Sequence, residues 1–523
     1  MICAIKVYKM CLQLVMPVPD YVRGHAGKAI CIYNCTYKKC QGACLNRDDI
    51  RVGLSYSDVL LVPRRSGIES RKAVSTKSTI TKGITLNVPV ITANMDTVTE
   101  SAMAIAIAME GGLGIIHRFM TIEKEAEEVR RVKRSTAYII DKPYSIGKDA
   151  SIGEARALMD KGEVSGLLVV DRSNHLLGIL SDRDIRFTEN DKEQVAKAMT
   201  PRKRLVVGRP GIEMGRALSI IDRNRLEKLP LVDRNDVVRG LITSKDIYRR
   251  IKSEKSAMDG KGRLLAGAAI GTRGDYVERA QALADAGVDA IVLDIAHGHS
   301  NSVIAAIKAV KKSISDVAII AGNVATAEGT DDLIAAGADA IKVGIGPGIA
   351  CTTRRVTGAG VPQLTAVMDC YGAAKGNGIS IIADGGIRES GDITKALAAG
   401  AAAVMSGGLF AGTEESPGFF IVRNGVKYKA YRGMSSFGAN ISRKRLDKDA
   451  IDPQDAFDIV PEGVESSVPY KGSVREVVYQ IIGGVRSGMS YCGAANLAEL
   501  RKNARFIRLT ESAMKESYDK LKE

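Results

Sequence analysis

A glycine-rich loop that ends in a cysteine is the segment of this 523-residue chain best suited to do chemistry. Residues 342–354 read KVGIGPGIACTTR, so three glycines and a proline precede a cysteine, two threonines and an arginine. Glycines permit positive φ angles and can turn several backbone groups toward one cation or phosphate. In such a polar loop we interpret Cys351 as a nucleophile, rather than as the small buried apolar residue that a lone cysteine usually is.

Eight short apolar runs provide the elements that would position this loop. Each run ends in a turn with glycine or polar residues, and most are followed by alanine-rich helical patterns; they are 88–96, 112–119, 264–271, 290–299, 317–326, 340–348, 379–387 and 402–412. Continuous apolar strands alternating with helices indicate parallel pairing, and eight such units predict an α/β fold, the closed (β/α)8 TIM barrel. Its active site would lie at the carboxyl ends of the strands, and the loop of Cys351 follows the sixth strand.

Two further glycine turns mark the expected phosphate site of this barrel. The sequences DGGI (384–387) and SGGLFAG (406–412) end the seventh and eighth predicted strands. These are the standard phosphate-binding positions of the fold. We expect Asp384 to accept hydrogen bonds from ribose hydroxyls and the amides of Gly386 and Gly407 to hold a phosphate.

An internal repeat interrupts the barrel between its second and third units. LLVVDRSNHLLGILSDRDI (167–185) matches LPLVDRNDVVRGLITSKDI (229–247), and the aligned glycines Gly178 and Gly240 lie 62 residues apart. This duplication resembles the tandem cystathionine-β-synthase-type (CBS) modules that bind adenine or guanine nucleotides. A packing insert without a ligand is the alternative, because a repeat demonstrates duplication and not occupancy.

These features divide the chain into four predicted parts. They are a Cys-rich extension without fixed structure (1–45), the first part of the barrel (46–134), a tandem CBS-type regulatory domain (135–255) and the second part of the barrel (256–523). The last part includes a polar, charge-rich stretch at about 413–475, long enough to be a mobile catalytic lid.

Composition limits the function classes. The formal net charge is +15, but the basic residues are spread along the chain without an aromatic-interleaved stripe, which favours small anionic substrates over specific nucleic-acid binding. No apolar run reaches the length of about 18 residues that a membrane span needs. We therefore expect a cytoplasmic enzyme with no membrane partner.

Ten motifs in order carry a resemblance to a known family. They are ANMDTVTE (93–100), IIHR (115–118), DIAHGHS (294–300), AGNV (321–324), GIGPGIACTTR (344–354), GAGVPQ (358–363), ADGGI (383–387), YRGM (431–434), VPEGVE (460–465) and VPYKG (468–472). Together with the tandem insert, they closely resemble the inosine 5′-monophosphate (IMP) dehydrogenase and guanosine 5′-monophosphate (GMP) reductase family over about residues 50–512. The dehydrogenase is the preferred member, acting in guanine nucleotide biosynthesis.

The resemblance implies a set of site residues. Catalysis would involve Cys351, Thr353 and Glu462, with Arg443 and Arg445 as lid candidates for activating water. Substrate would be bound by Asn94, Met95, Asp384, Gly385, Gly386, Gly407, Gly408, Tyr431, Gly433, Met434, Ser435 and Glu462. The cofactor NAD would be bound by Asp294, Asn323, Gly344 and Gly346. A potassium ion would be held by backbone carbonyls of Gly346, Gly348 and Cys351. A homotetramer is also implied.

The chain departs from the dehydrogenase pattern at three places. Two serines that normally bind the substrate phosphate are replaced by Ile349 and Gly408, and the lid has no tyrosine between Tyr431 and Tyr470 to form the usual Arg–Tyr pair. An NADPH-dependent GMP reductase needs no hydrolytic water and is the main alternative. A nucleotide sensor with an inert cysteine is a second.

Overall fold

The computed structural model describes residues 50–135, 139–140, 142–162, 164–245, 247, 255–447 and 459–518. The described residues from Gly53 onward belong to one compact unit. The Cys-rich extension predicted at 1–45 lies outside the described residues. Within those residues, no helix is both long and apolar enough to cross a membrane.

Eight parallel strands close into a barrel, which confirms the predicted (β/α)8 fold. The strands are β1 (Val90–Thr92), β2 (Leu113–Ile116), β3 (Gly267–Ile270), β4 (Ala290–Asp294), β5 (Ala318–Val324), β6 (Ala340–Val343), β7 (Ser380–Asp384) and β8 (Ala403–Ser406). The sheet closes where β8 pairs with β1, with Val404 opposite Val90. Each of the eight predicted apolar runs contains one barrel strand.

Eight helices cover the barrel. They are α1 (Ser101–Met109), α2 (Ile122–Arg134), α3 (Tyr276–Asp285), α4 (Asn301–Ser313), α5 (Ala327–Ala335), α6 (Gln363–Ala374), α7 (Ser390–Ala398) and α8 (Val474–Tyr491). Because both faces of the strands are buried, apolar side chains form one core inside the barrel and a second between strands and helices. Close packing of α1 requires Gly114, since a Cβ there would lie 2.5 Å from the Cα of Ala104.

The insert between α2 and β3 contains two similar halves. Each has a helix followed by an antiparallel strand pair: Ile152–Gly162 with Gly166–Val170 and Leu176–Ser181, then Met214–Asn224 with Lys228–Val232 and Val238–Thr243. The halves join where His175 pairs with Val237. Shorter elements are the strands Ser145–Gly147 and Thr200–Pro201 and the helical turns Asp182–Ile185, Val195–Ala198 and Arg202–Arg204.

The segment predicted as a lid contains a small sheet and a helix. Strands Ile421–Arg423, Val426–Arg432 and Glu465–Pro469 pair antiparallel, and a helix spans Phe437–Asp447. The central part of the stretch, residues 448–458, lies outside the described residues.

The remaining elements cap the barrel. A hairpin of Ser78–Thr81 and Ile84–Leu86 closes its amino-terminal end, where the Ser78 hydroxyl donates to the carbonyl of Ala402 at 2.6 Å. Strand Val59–Leu61 pairs with Phe506–Arg508. Short helices are Tyr56–Asp58, Arg71–Ala73, Thr353–Thr357, Lys375–Asn377, Leu497–Asn503 and Glu511–Tyr518.

Candidate functional site

A cleft opens at the carboxyl ends of the barrel strands, beneath the lid sheet. Its lining residues lie at or just after the carboxyl ends of β1 and β4 to β8, or come from the lid: Ala93, Asn94, Met95, Asp294, Ile295, Ala296, Asn323, Lys342, Gly344, Ile345, Gly346, Pro347, Gly348, Ile349, Ala350, Cys351, Thr353, Asp384, Gly385, Gly386, Ile387, Ser406, Gly407, Gly408, Tyr431, Gly433, Met434, Ser435 and Glu462. This is the end of the barrel at which catalytic residues are expected.

The loop after β6 places Cys351 in this cleft. Gly344 has a φ of +144°, and a Cβ there would lie 2.2 Å from the carbonyl oxygen of Asp384, so only glycine fits. The loop turns back on itself through a 3.0 Å bond from the Cys351 amide to the Gly348 carbonyl. Arg354 stabilises the loop, because its guanidinium donates to the carbonyls of Ile345 and Val361.

A chain of hydrogen bonds leads from the cysteine to a carboxylate. The Cys351 thiol donates to Thr353 Oγ1 at 3.2 Å, and the Thr353 hydroxyl donates to Glu462 Oε2 at 2.7 Å. Both bonds run in the same direction, so the thiol proton has a path to Glu462. The cysteine is partly exposed and accessible from the cleft.

Backbone pairing holds Glu462 against the cysteine loop, although the two are more than 100 residues apart in sequence. The Thr352 amide donates to the Glu462 carbonyl at 2.8 Å, and the Val464 amide donates to the Ala350 carbonyl at 2.9 Å. The Glu462 amide in turn donates to the carbonyl of Ser435 at 3.0 Å. The carboxylate is therefore positioned by main-chain bonds on both sides.

A buried lysine joins two carboxylates at the floor of the cleft. Lys342 Nζ lies 3.0 Å from Asp294 Oδ1 and 2.8 Å from Asp384 Oδ2, and it also donates to Asn323 Oδ1. Desolvation would raise the pKa of Asp294, but the charges of Lys342 and Arg118 hold it below its usual range. Asp294 is therefore ionised at neutral pH.

Tyr431 lies where the turns after β7 and β8 meet the lid. Burial, with smaller contributions from Asp384 and Cys351, raises the pKa of Tyr431 to about 12. The phenol consequently stays protonated at neutral pH and can donate a hydrogen bond to an anion. The phenol oxygen is close to Gly407, because a Cβ added to that glycine would lie 3.2 Å from it.

Ile349 and Gly408, two residues that depart from the dehydrogenase pattern, pack against each other. A Cβ on Gly408 would lie 2.9 Å from Cδ1 of Ile349, a residue of the cleft that is 59% exposed. The isoleucine thus packs into the space that a larger residue at 408 would need. The two replacements fit each other sterically, and neither supplies a hydroxyl.

All but two of the sequence-predicted site residues line the cleft. Arg443, on the helix Phe437–Asp447, does not line the cleft, and the side chain of Arg445 lies outside what the structure describes. The Arg443 side chain is exposed. The sequence analysis missed Lys342 and Ser406, which also line the cleft. The sequence offered one signal for Lys342, because a charged residue inside the apolar run AIKVG must find partners in the barrel.

Comparison with known proteins agrees with the fold and the cleft. Residues 53–519 match the family model described as "IMP dehydrogenase / GMP reductase domain". Inosine-5′-monophosphate dehydrogenase of Nitrosopumilus maritimus is 49% identical over 470 residues, covering 90% of this chain and 98% of the relative. The enzyme of the same name from Aquifex aeolicus is 50% identical over 471 residues, covering 90% and 95%.

Solved structures extend the comparison to the reductase branch. The crystal structure of a GMP reductase variant from Trypanosoma brucei in complex with guanosine 5′-monophosphate superposes with a TM-score of 0.84 at 42% identity. The match covers 90% of this chain and 98% of that chain. With a family model that spans most of its length, the chain belongs to the IMP dehydrogenase/GMP reductase family.

Proposed function

We propose that this enzyme oxidises IMP to xanthosine 5′-monophosphate with NAD⁺ and water. The observation that carries the proposal is the directed hydrogen-bond chain from Cys351 through Thr353 to Glu462. The same cleft contains the carboxylates of Asp294 and Asp384, which can accept hydrogen bonds from ribose hydroxyls. Two relatives that are 49% and 50% identical to this chain carry the name inosine-5′-monophosphate dehydrogenase.

The cysteine chemistry follows from the relay. Cys351 loses its proton along Thr353 toward Glu462, and its sulfur forms a bond to C2 of the purine. C2 becomes tetrahedral, so its hydrogen can leave with the bonding pair as hydride, and NAD⁺ is the acceptor for that hydride. Glu462 then releases the thiol proton to solvent, and water attacks C2 of the remaining thioimidate while passing a proton through Thr353 to Glu462. The C–S bond breaks, the sulfur leaves as a thiolate, and the proton on Glu462 returns to it to regenerate the thiol.

Binding is divided among the other lining residues. Asp384 accepts hydrogen bonds from the substrate ribose, while the Tyr431 phenol and the amides of Gly386 and Gly407 bind its phosphate. Asp294 accepts hydrogen bonds from the hydroxyls of the nicotinamide ribose. Further substrate contacts are assigned to Asn94, Met95, Gly385, Gly408, Gly433, Met434 and Ser435, and further cofactor contacts to Asn323, Gly344 and Gly346.

Backbone carbonyls of Gly346, Gly348 and Cys351 would hold a potassium ion. Carbonyl oxygens are hard, neutral ligands suited to an alkali cation. The Gly348 carbonyl accepts one bond within the loop, from the Cys351 amide at 3.0 Å, and retains a second lone pair. The ion would stabilise the loop that positions the thiol.

GMP reductase is the second candidate, favoured by the lid. No tyrosine occurs between Tyr431 and Tyr470, and the exposed Arg443 does not line the cleft. In a reductase, NADPH gives hydride to C2 and ammonia leaves, so no water needs activation. The Trypanosoma brucei structure, solved with GMP, matches nine-tenths of this chain.

Absorbance at 340 nm distinguishes the two reactions. Rapid mixing of the enzyme with IMP and NAD⁺ should give a burst of NADH equal to the active sites, followed by a slower steady rate. The burst is expected because hydride transfer precedes a hydrolysis that lacks the Arg–Tyr pair. Oxidation of NADPH with GMP, and no NADH from IMP, would contradict the dehydrogenase. If neither substrate pair reacts and neither nucleotide protects Cys351 from alkylation, the result would indicate a nucleotide sensor with an inert cysteine.

The insert is proposed to bind adenine or guanine nucleotides and to regulate the barrel. The insert leaves and re-enters the barrel next to Lys133 and Asp259, which form an ion pair at 3.1 Å. Deleting residues 135–255 keeps both of these residues. We expect calorimetry to detect ATP or GTP binding to the full chain but not to the deletion variant, which should keep its turnover. Equal binding to both proteins at millimolar nucleotide would contradict this role.

The assembly and location complete the proposal. A homotetramer, as the family resemblance implies, would be seen as a single species of four chains in sedimentation velocity. The reaction is assigned to the cytoplasm.

A further inference from the structure

Lys342 is a lysine in the interior of the barrel. It lies in β6 between Ile341 and Val343, and only 2% of its side chain is exposed. Lysine is almost never fully buried unless it is paired. Placing an ammonium here has a large desolvation cost, so its contacts must explain why the position carries a charge.

The ammonium is saturated by three acceptors. Lys342 Nζ donates to Asp294 Oδ1, Asp384 Oδ2 and Asn323 Oδ1, and an ammonium has three hydrogens to donate. Burial would lower the pKa of Lys342, but the two carboxylates raise it above its ordinary value. The group is therefore a permanent cation with no hydrogen left for a substrate, which excludes a role as an acid or a ligand.

All three groups line the cleft, but the two carboxylates are more exposed than the lysine. Their side chains are 24% and 20% exposed, for Asp294 and Asp384 respectively. Lys342 bonds one oxygen of each, Oδ1 of Asp294 and Oδ2 of Asp384. Each carboxylate thus has a second oxygen outside the lysine contact, and the ammonium fixes the spacing between the two groups.

The same network reaches the start of the cysteine loop. Asn323 Nδ2 donates to Asp384 Oδ2 at 3.0 Å and to the carbonyl of Gly344 at 2.7 Å. Gly344 is the first residue after β6. Lys342 therefore connects residues at the ends of β4, β5 and β7 with the loop that contains the nucleophile.

We propose that Lys342 is a positioning residue that holds Asp294 and Asp384 at the spacing that sets the cofactor ribose against the nucleotide ribose. This inference rests on the proposed function, which assigns one ribose to each carboxylate. Because a single ammonium orients both, its loss weakens both ligands together. Binding of the two ligands is coupled through it.

The experiment compares the Michaelis constants for IMP and NAD⁺ with kcat in the full chain. Lys342→Gln should raise both Michaelis constants by about tenfold or more, because truncating one member of a buried charge pair is strongly unfavourable. Lys342→Arg keeps the charge and should raise both constants less. A purely structural role would lower the folded fraction and hence the apparent kcat, without changing either constant.

Lys133→Gln is the matched control. Lys133 is also buried and also bridges two aspartates, Asp259 at 3.1 Å and Asp289 at 2.6 Å, but it does not line the cleft. It should lower the melting temperature and leave both Michaelis constants within about twofold, as expected for a change outside the site.

Unchanged Michaelis constants in folded Lys342→Gln overturn the inference. If that variant does not fold, unchanged constants in Lys342→Arg overturn it. Should the wild type fail to reduce NAD⁺ with IMP, the proposed function fails separately. The inference is then decided by equilibrium dialysis of GMP and by NADPH fluorescence, with weaker binding of both supporting it and equal binding overturning it.

Discussion

Replacing Cys351 with alanine should abolish turnover and leave nucleotide binding nearly intact. In the proposed mechanism the sulfur makes the covalent bond, so its loss removes the reaction path and should lower kcat by at least about 10³-fold. Binding should persist because the proposed phosphate and ribose contacts come from Tyr431, Asp384 and backbone amides. Steady-state kinetics would measure the loss, and equilibrium dialysis with IMP would measure the binding.

Cys370→Ser is the control for this variant. Cys370 is buried on α6, where its Sγ donates to the carbonyl of Thr326 at 3.4 Å, and serine is close to cysteine in size and shape. Burial raises the pKa of Cys370 to about 12, so it is an unreactive thiol. The control should retain wild-type turnover. Activity of Cys351→Ala above about one hundredth of wild type would show that the thiol is not the nucleophile.

Glu462→Gln should lower the steady rate by about 10²- to 10⁴-fold, which is the range expected for loss of a general base. The substitution keeps the size of the side chain and an oxygen that can accept from Thr353, but it removes the carboxylate that receives the proton. In the dehydrogenase reaction, hydrolysis should slow more than hydride transfer. Stopped-flow absorbance would then show a retained NADH burst followed by a much slower steady phase.

Glu465→Gln provides a comparison on the same segment. Glu465 begins the lid strand and accepts a hydrogen bond from the Gly438 amide at 2.6 Å, which glutamine can also accept. This variant removes an equal charge without touching the relay, and its steady rate should stay within about twofold of wild type. A similar loss in both variants would assign the effect to the lid as a whole and not to the base.

The barrel and most of its cleft could be predicted from local sequence. Strands buried on both faces are continuous apolar runs, and their loops need glycines, so positions such as Gly344 and Gly386 are recognisable without a structure. The parallel order then brings all strand ends to one face. This topological rule placed Asp384 and Cys351 in one site, and the family resemblance added Asp294.

Contacts between distant segments required the tertiary structure. Periodicity identifies which face of an element is buried, but it does not specify which side chains meet across the barrel. The 2.7 Å bond between Thr353 and Glu462 joins residues 109 positions apart, and the packing of Ile349 over Gly408 relates two loops.

The same reason explains the two clearest surprises. Arg443 was a candidate for water activation because its residue type suited that chemistry, yet the lid helix places it outside the cleft. Lys342 was overlooked as one charge within an apolar strand, and only the closed barrel gives its ammonium two carboxylates to bridge. Residue types and their spacing determined the fold and the candidate nucleophile. The geometry of the barrel determined which charges lie together, because burial makes an unpaired charge costly and selects its partners in three dimensions.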